Sequence, residues 1–98
     1  MEIEFGNKDC DRLEIDPHFN AGHSRAIVKA YRKRIQAIRA AVDERAFYAM
    51  KSLHFEKLSG DRSHQHSMRL NLQWRLIIEL RKRNDAAVVF VMGIEDYH

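Results

Sequence analysis

The sequence predicts an α+β fold in which N-terminal helices pack on one face of a small antiparallel β-sheet. Three observations carry that expectation: residues 24–43 place apolar side chains at helical spacing, residues 68–95 alternate at spacing two, and the helical stretch precedes the strands instead of interrupting them. Helices followed by an antiparallel meander cover one sheet face and leave the other for function.

Ninety-eight residues, 45% of them hydrophobic, suffice for one modest core, so residues 1–98 are read as a single domain. Cys10 has no second cysteine to pair with, and without a histidine in its segment it is a poor candidate nucleophile. No apolar run is long enough to span a bilayer and no secretory signal opens the chain, so the expected location is cytoplasmic, with no membrane partner. The net charge of +3 hides an asymmetry. Residues 1–16 carry six acids against two bases, whereas residues 17–98 carry 15 Lys/Arg against 8 Asp/Glu. A basic body of this kind is the electrostatic footprint of a polyanion binder or of a surface matched to an acidic partner.

Taken in order, Glu2-Ile3-Glu4-Phe5 alternates as a short edge strand. Asn7 can cap a brief helix through Leu13-Glu14-Ile15, and Asp16-Pro17 ends it. Ser24 is placed to cap a long helix with Ile27, Tyr31, Ile35, Ile38 and Val42 on its apolar stripe. Residues 44–53 suggest a second short helix or a continuation of the first, and Ser59-Gly60-Asp61-Arg62-Ser63 reads as a loop. Beyond it, Met68, Leu70 and Leu72, then Trp74, Leu76, Ile78 and Leu80, point at the helices. After a charged connection at 81–85, Val88, Phe90, Met92 and Ile94 share one side of the last strand, which is apolar on both faces and so expected to pair centrally.

The odd positions Arg69, Asn71, Arg75 and Tyr97 then fall on the open face, with Asp96 and His98 at its rim. Taken alone, Asp96-Tyr97-His98 reads either as a solvated end or as groups held beside a core strand. Two arginines, an asparagine, a phenol and an imidazole are the components for gripping a phosphodiester and moving a proton at it. Arg69 and Arg75 have a plainer reading as exposed strand residues paired with Glu79 or Glu95. Trp74 shares the parity of Leu76 and is read as core. His64 and His66 would share a strand face, but no third nearby ligand completes a metal site, and none is expected.

The order of residues in Phe55-Glu56-Lys57-Leu58-Ser59-Gly60-Asp61-Arg62, in Arg69-Leu70-Asn71-Leu72-Gln73-Trp74-Arg75 and in the closing Asp96-Tyr97-His98 resembles the HigB-like branch of the RelE/ParE type II toxin superfamily. The resemblance covers about residue 55 to the end. It implies a RelE-like fold and a metal-independent, ribosome-dependent mRNA endoribonuclease that uses no cofactor. It also implies a HigA-like helix-turn-helix antitoxin, with DNA met only through that partner. Carried over residue by residue, it places Asp96, Tyr97, His98 and Arg75 in the catalytic site. His98 is expected as base or acid, Tyr97 stacking on a base or bonding the phosphate, Asp96 orienting its neighbours, and Arg75 stabilising developing charge. Lys57, Arg62, Arg69, Asn71, His54 and His66 are expected RNA contacts. One departure stands out: the family histidine before the Gly-Asp-Arg loop aligns with Glu56, and His54 lies two residues earlier. Either His54 still reaches the site, or the role is absent or passes to His66. Two other functions remain open, a ParE-like gyrase inhibitor and a catalytically silent homologue acting with its antitoxin as corepressor.

Overall fold

The computed structural model describes residues 1–96. The chain forms β1 (Glu2–Phe5), α1 (Lys8–Ile15), α2 (Arg25–Ala40), α3 (Arg45–Ala49), a 3-10 turn (Lys51–Leu53), β2 (Glu56–Lys57), a second 3-10 turn (Gly60–Arg62), β3 (Gln65–Arg69), β4 (Trp74–Arg83) and β5 (Ala86–Asp96). Apart from β1, the helices precede the strands along the chain, as the change of period predicts.

Both expected caps form. The Asn7 side-chain oxygen accepts from the Cys10 N–H at 2.8 Å, and the Ser24 hydroxyl accepts from the Ile27 N–H at 3.2 Å. α2 buries Ile27, Val28, Tyr31, Ile35 and Ile38. Val42, placed on that stripe from the sequence, is instead 92% exposed because α2 stops at Ala40. The cause is local competition: an Asp43 carboxylate oxygen accepts the Arg45 N–H at 2.9 Å, which starts α3 and prevents continuation of α2. The carbonyls of Ile38, Arg39 and Ala41 at the end of α2 accept from the Met1 nitrogen.

The sheet has five strands in the order β1-β5-β4-β3-β2, and it is mixed, not purely antiparallel. β1 pairs in parallel with β5, and the other neighbours are antiparallel. The two-sided apolar character of β5 is explained by its place between β1 and β4. Asn84 and Asp85, with φ of 50° and 67°, form the two-residue turn joining β4 to β5. Two consecutive left-handed residues give the turn whose twist matches the flanking strands.

A bulge shifts the β4–β5 register between Ile77 and Ile78 and corrects the expected facing of β5. Ile77 pairs with Gly93 and Ile78 with Val91, leaving Met92 as the extra residue. Ile94 therefore packs on the core, but below the bulge it is Val89 and Val91 that join the core, not Val88, Phe90 and Met92. The bulge is held from the start of α1. Asn7 Nδ2 donates to the Met92 carbonyl at 2.9 Å, and the Gly6 N–H donates to the Val91 carbonyl at 2.8 Å. A Cβ at Gly6 would stand 3.2 Å from both the Met92 sulfur and the Val91 oxygen, so a larger residue there pushes the two strands apart.

Leu13, Tyr31, Ile35, Phe47, Met68, Leu76, Ile78, Val89 and Val91 belong to one core formed by helices and sheet together. The buried Tyr31 hydroxyl donates to the Cys10 carbonyl at 2.7 Å, so its polar atom enters the core satisfied. Trp74 packs against this core, as its parity predicts, edge-on to His23.

Candidate active site

The strand register puts Arg75, Ile77, Glu79 and Arg81 of β4 on the face opposite the core, beside Arg69, Ser67 and Gln65 of β3 and Glu95 of β5. Arg69 and Arg75 are direct cross-strand partners. Like charges directly opposed cost stability, and Glu95, the β5 partner of Arg75, stands on the other side of this pair. His54, Glu56, Ser67, Arg69 and Arg75 line a recess of about 60 Å³ there.

His54 reaches this recess despite its displaced position in the sequence. The turn Lys51–Leu53 ends on His54 in the left-handed conformation, with φ 45° and ψ 49°, and its Nε2 stands 3.2 Å from an Arg69 guanidinium nitrogen. A guanidinium has only donors, so in this contact the His54 Nε2 is the acceptor. A non-glycine residue at positive φ is uncommon and holds backbone strain, which here sets the imidazole against Arg69. Glu56 enters because β2 pairs Glu56 with Ser67, whose side chain is buried on the same face.

A chain of polar contacts runs beside the recess. Arg62 grips both Glu95 carboxylate oxygens at 2.8 and 2.7 Å, and its Nε donates to Gln65 at 2.9 Å. Gln65 donates to Glu79 at 3.1 Å, Arg81 donates to Glu79 at 3.0 Å, and the Arg81 guanidinium lies 3.8 Å over the Phe90 ring. The Arg62 hydrogen bond is the main cause holding the Glu95 carboxyl below the usual carboxylate range, with the Arg62 and Arg75 charges adding to it. A depressed carboxyl contributes stability that is present above the ordinary glutamate value and is lost as pH falls through the lowered one. Glu95→Gln is accordingly expected to flatten the acid limb of stability against pH, measured by urea unfolding. Arg62→Lys, which keeps the charge and loses the fork, is expected to speed amide exchange at Ile94 and Glu95 by up to about fivefold, the range of a half-exposed pair.

The other sequence candidates are scattered. Asn71 is not on the sheet face: β3 ends at Arg69, and the Asn71 side-chain oxygen accepts from the Gln73 and Trp74 N–H groups at 2.8 and 2.7 Å, making the β3–β4 turn. Leu72, read as a core strand residue, sits in that turn and is 88% exposed. Lys57 pairs with His66 on the side of β2 and β3 away from the recess. His66 stacks on Phe55 at 4.8 Å, and burial pushes its pKa down. His64 instead stands 3.6 Å from Glu79, so the two imidazoles are not brought together. No group of three or more His, Cys, Asp or Glu is arranged to hold a metal among the described residues. Asp96 shares the Trp74 side of the sheet and accepts from the Gln73 amide at 3.3 Å. Tyr97 and His98 lie outside the described residues.

Sequence reasoning did not select Glu56 or Ser67 as site residues. The one local signal was the spacing of His54 and Glu56, which an extended segment carries on one side.

No protein-family model matches the chain, and no curated protein sequence matches it. What the comparisons do define is a fold, a mixed sheet with N-terminal helices. Among the solved structures it resembles is a YoeB/ParE toxin from Agrobacterium tumefaciens, similar over 100% of both chains at 16% identity and a TM-score of 0.63. That likeness establishes a common fold. No helix among the described residues is long and apolar enough to cross a membrane.

Proposed function

We propose that the protein is the toxin of a type II toxin–antitoxin module, a HigB-like, ribosome-dependent endoribonuclease that cleaves mRNA. The observation that carries this reading is the opposed pair Arg69 and Arg75 at a recess that also holds His54 and Glu56. Cleavage of this type removes the proton of a 2′-hydroxyl, lets that oxygen attack the adjacent phosphorus, and protonates the departing 5′-oxygen. Arg75 and Arg69 stabilise the charge that develops on the phosphoryl oxygens. His54 and Glu56 stand where they can exchange protons with it, and Tyr97 and His98, carried over from the family motif, supply the remaining groups. Asp96 orients this end of the strand through Gln73. The ribosome holds the mRNA in register, which relieves a small protein of recognising a long sequence.

The partners follow from the same reading: the ribosome with its mRNA, and a HigA-like helix-turn-helix antitoxin that brings the pair to DNA. The working compartment is the cytoplasm, where ribosomes are. The test is cleavage of mRNA on programmed ribosomes by the purified chain and by His98→Ala. The reading expects cuts within the message that the variant loses while keeping its fold. If the message stays intact and pulse-labelling of induced cells shows DNA synthesis stopping before translation, the protein is a gyrase inhibitor instead. If induction affects neither process, it is a silent corepressor.

A further inference from the structure

A second basic surface lies apart from the recess. The sequence of α2, from Arg25 to Ala40, contains six Lys or Arg and no acid. Three of these cations are consumed within the fold. Arg39 pairs with Glu14, the Arg34 Nε donates to the Arg69 carbonyl, and Arg32 donates to the carbonyls of Leu13 and Asp16. Arg25, Lys29 and Lys33 remain exposed and have no hydrogen-bond or ion-pair partner among the described residues. Their spacing of four residues sets them on one side of the helix in steps of about 6 Å. With Arg32 they line a groove of about 840 Å³ between α2 and the segment 17–20, and no carboxylate side chain contributes to its lining.

We infer that this groove docks the phosphate backbone of folded RNA, as a contact separate from the recess where cleavage is proposed. The lining decides between RNA and an acidic protein segment. A helix or strand of a protein partner needs apolar anchors to dock. Of the larger apolar side chains in the groove, Val28 is buried and Phe19 packs against the core beneath the Arg12 guanidinium, 4.2 Å from its ring. None of the exposed large hydrophobic residues lines it. A phosphodiester backbone needs no apolar anchor; cations suffice, and a row about 12 Å long spans several charges of a duplex. The inference deepens the nuclease reading, on which it rests, by adding a grip on structured RNA that does not occupy the cleavage site.

The experiment is fluorescence-anisotropy titration of a labelled RNA duplex, and co-sedimentation with ribosomes, across a salt series. The full chain is compared with R25Q/K29Q/K33Q, with the charge reversal K29E/K33E, and with the recess variant R69Q/R75Q. The groove variants are expected to weaken binding and to reduce the slope of log K against log salt by about one per lost contact, with circular dichroism unchanged. The recess variant is expected to retain most of that salt-dependent binding. Unchanged slopes in both groove variants overturn the inference, as does stronger binding of poly-glutamate than of the RNA duplex. Salt-dependent binding that the groove variants lose, in a wild-type chain that cuts no message, overturns the nuclease reading and leaves the groove standing.

Discussion

Arg75→Ala is expected, on the proposed nuclease reading, to lower the single-turnover rate of mRNA cleavage on programmed ribosomes by about 10²- to 10³-fold, the range for removing one preorganised donor from a developing oxyanion. The effect should fall on the chemical step more than on ribosome affinity, because Arg75 sits in a small recess opposite Arg69 and not in the α2 groove. Arg75→Lys should restore the charge but little of the rate, since an ammonium does not reproduce a planar fork. Stability should change little in Arg75→Ala, because the like-charge pair with Arg69 that it relieves is set against the loss of the Arg75 charge beside its other cross-strand partner, Glu95. Rate and thermal midpoint measured on the same preparations test both halves. A parallel fall in the two would mean that Arg75 acts through the fold.

Phe47→Ala is expected to cost about 3–5 kcal/mol of unfolding free energy, read from denaturant titration. Phe47 is buried in α3 and meets Phe55 at 5.3 Å, and Phe55 in turn touches Tyr48 and stacks on His66. This aromatic cluster flanks His54 in sequence and packs around the short segment that turns it into the left-handed conformation. Loss of Phe47 should therefore also loosen His54 over the recess, seen as a change in its imidazole NMR signals under conditions where the variant is still folded. For a 98-residue chain such a loss is a large fraction of total stability.

How much of this was legible beforehand depends on the range of the physics involved. Asn7 and Ser24 cap their helices because a side chain bonds an N–H three residues on, and such chemistry is complete within the local sequence. Val42 failed for an equally local reason that periodicity does not see, the hydrogen bond from the Arg45 N–H to the Asp43 side chain just beyond the end of α2. Asn71 and Leu72 failed because an alternating pattern ran on into a turn whose defining contact is also an Asx bond. Arg62 was expected to serve as a cation at the loop, and its partner in the structure is Glu95, 33 residues away, so that it clamps β5 through a contact the local sequence does not show.

By itself the sequence determined the order of elements, the helical and strand periods, the caps, and the split between an acidic start and a basic body with its uniformly cationic α2, because each is a property of composition or of neighbours within one helical turn. The tertiary structure decided the parallel pairing of β1 with β5, the bulge at Met92 that reversed the facing of Val88 to Val91, and the meeting of His54, Glu56, Ser67, Arg69 and Arg75 in one recess. Those features depend on register between distant strands. A shift of one residue turns every side chain to the other face, and only the packed partner fixes which face it is.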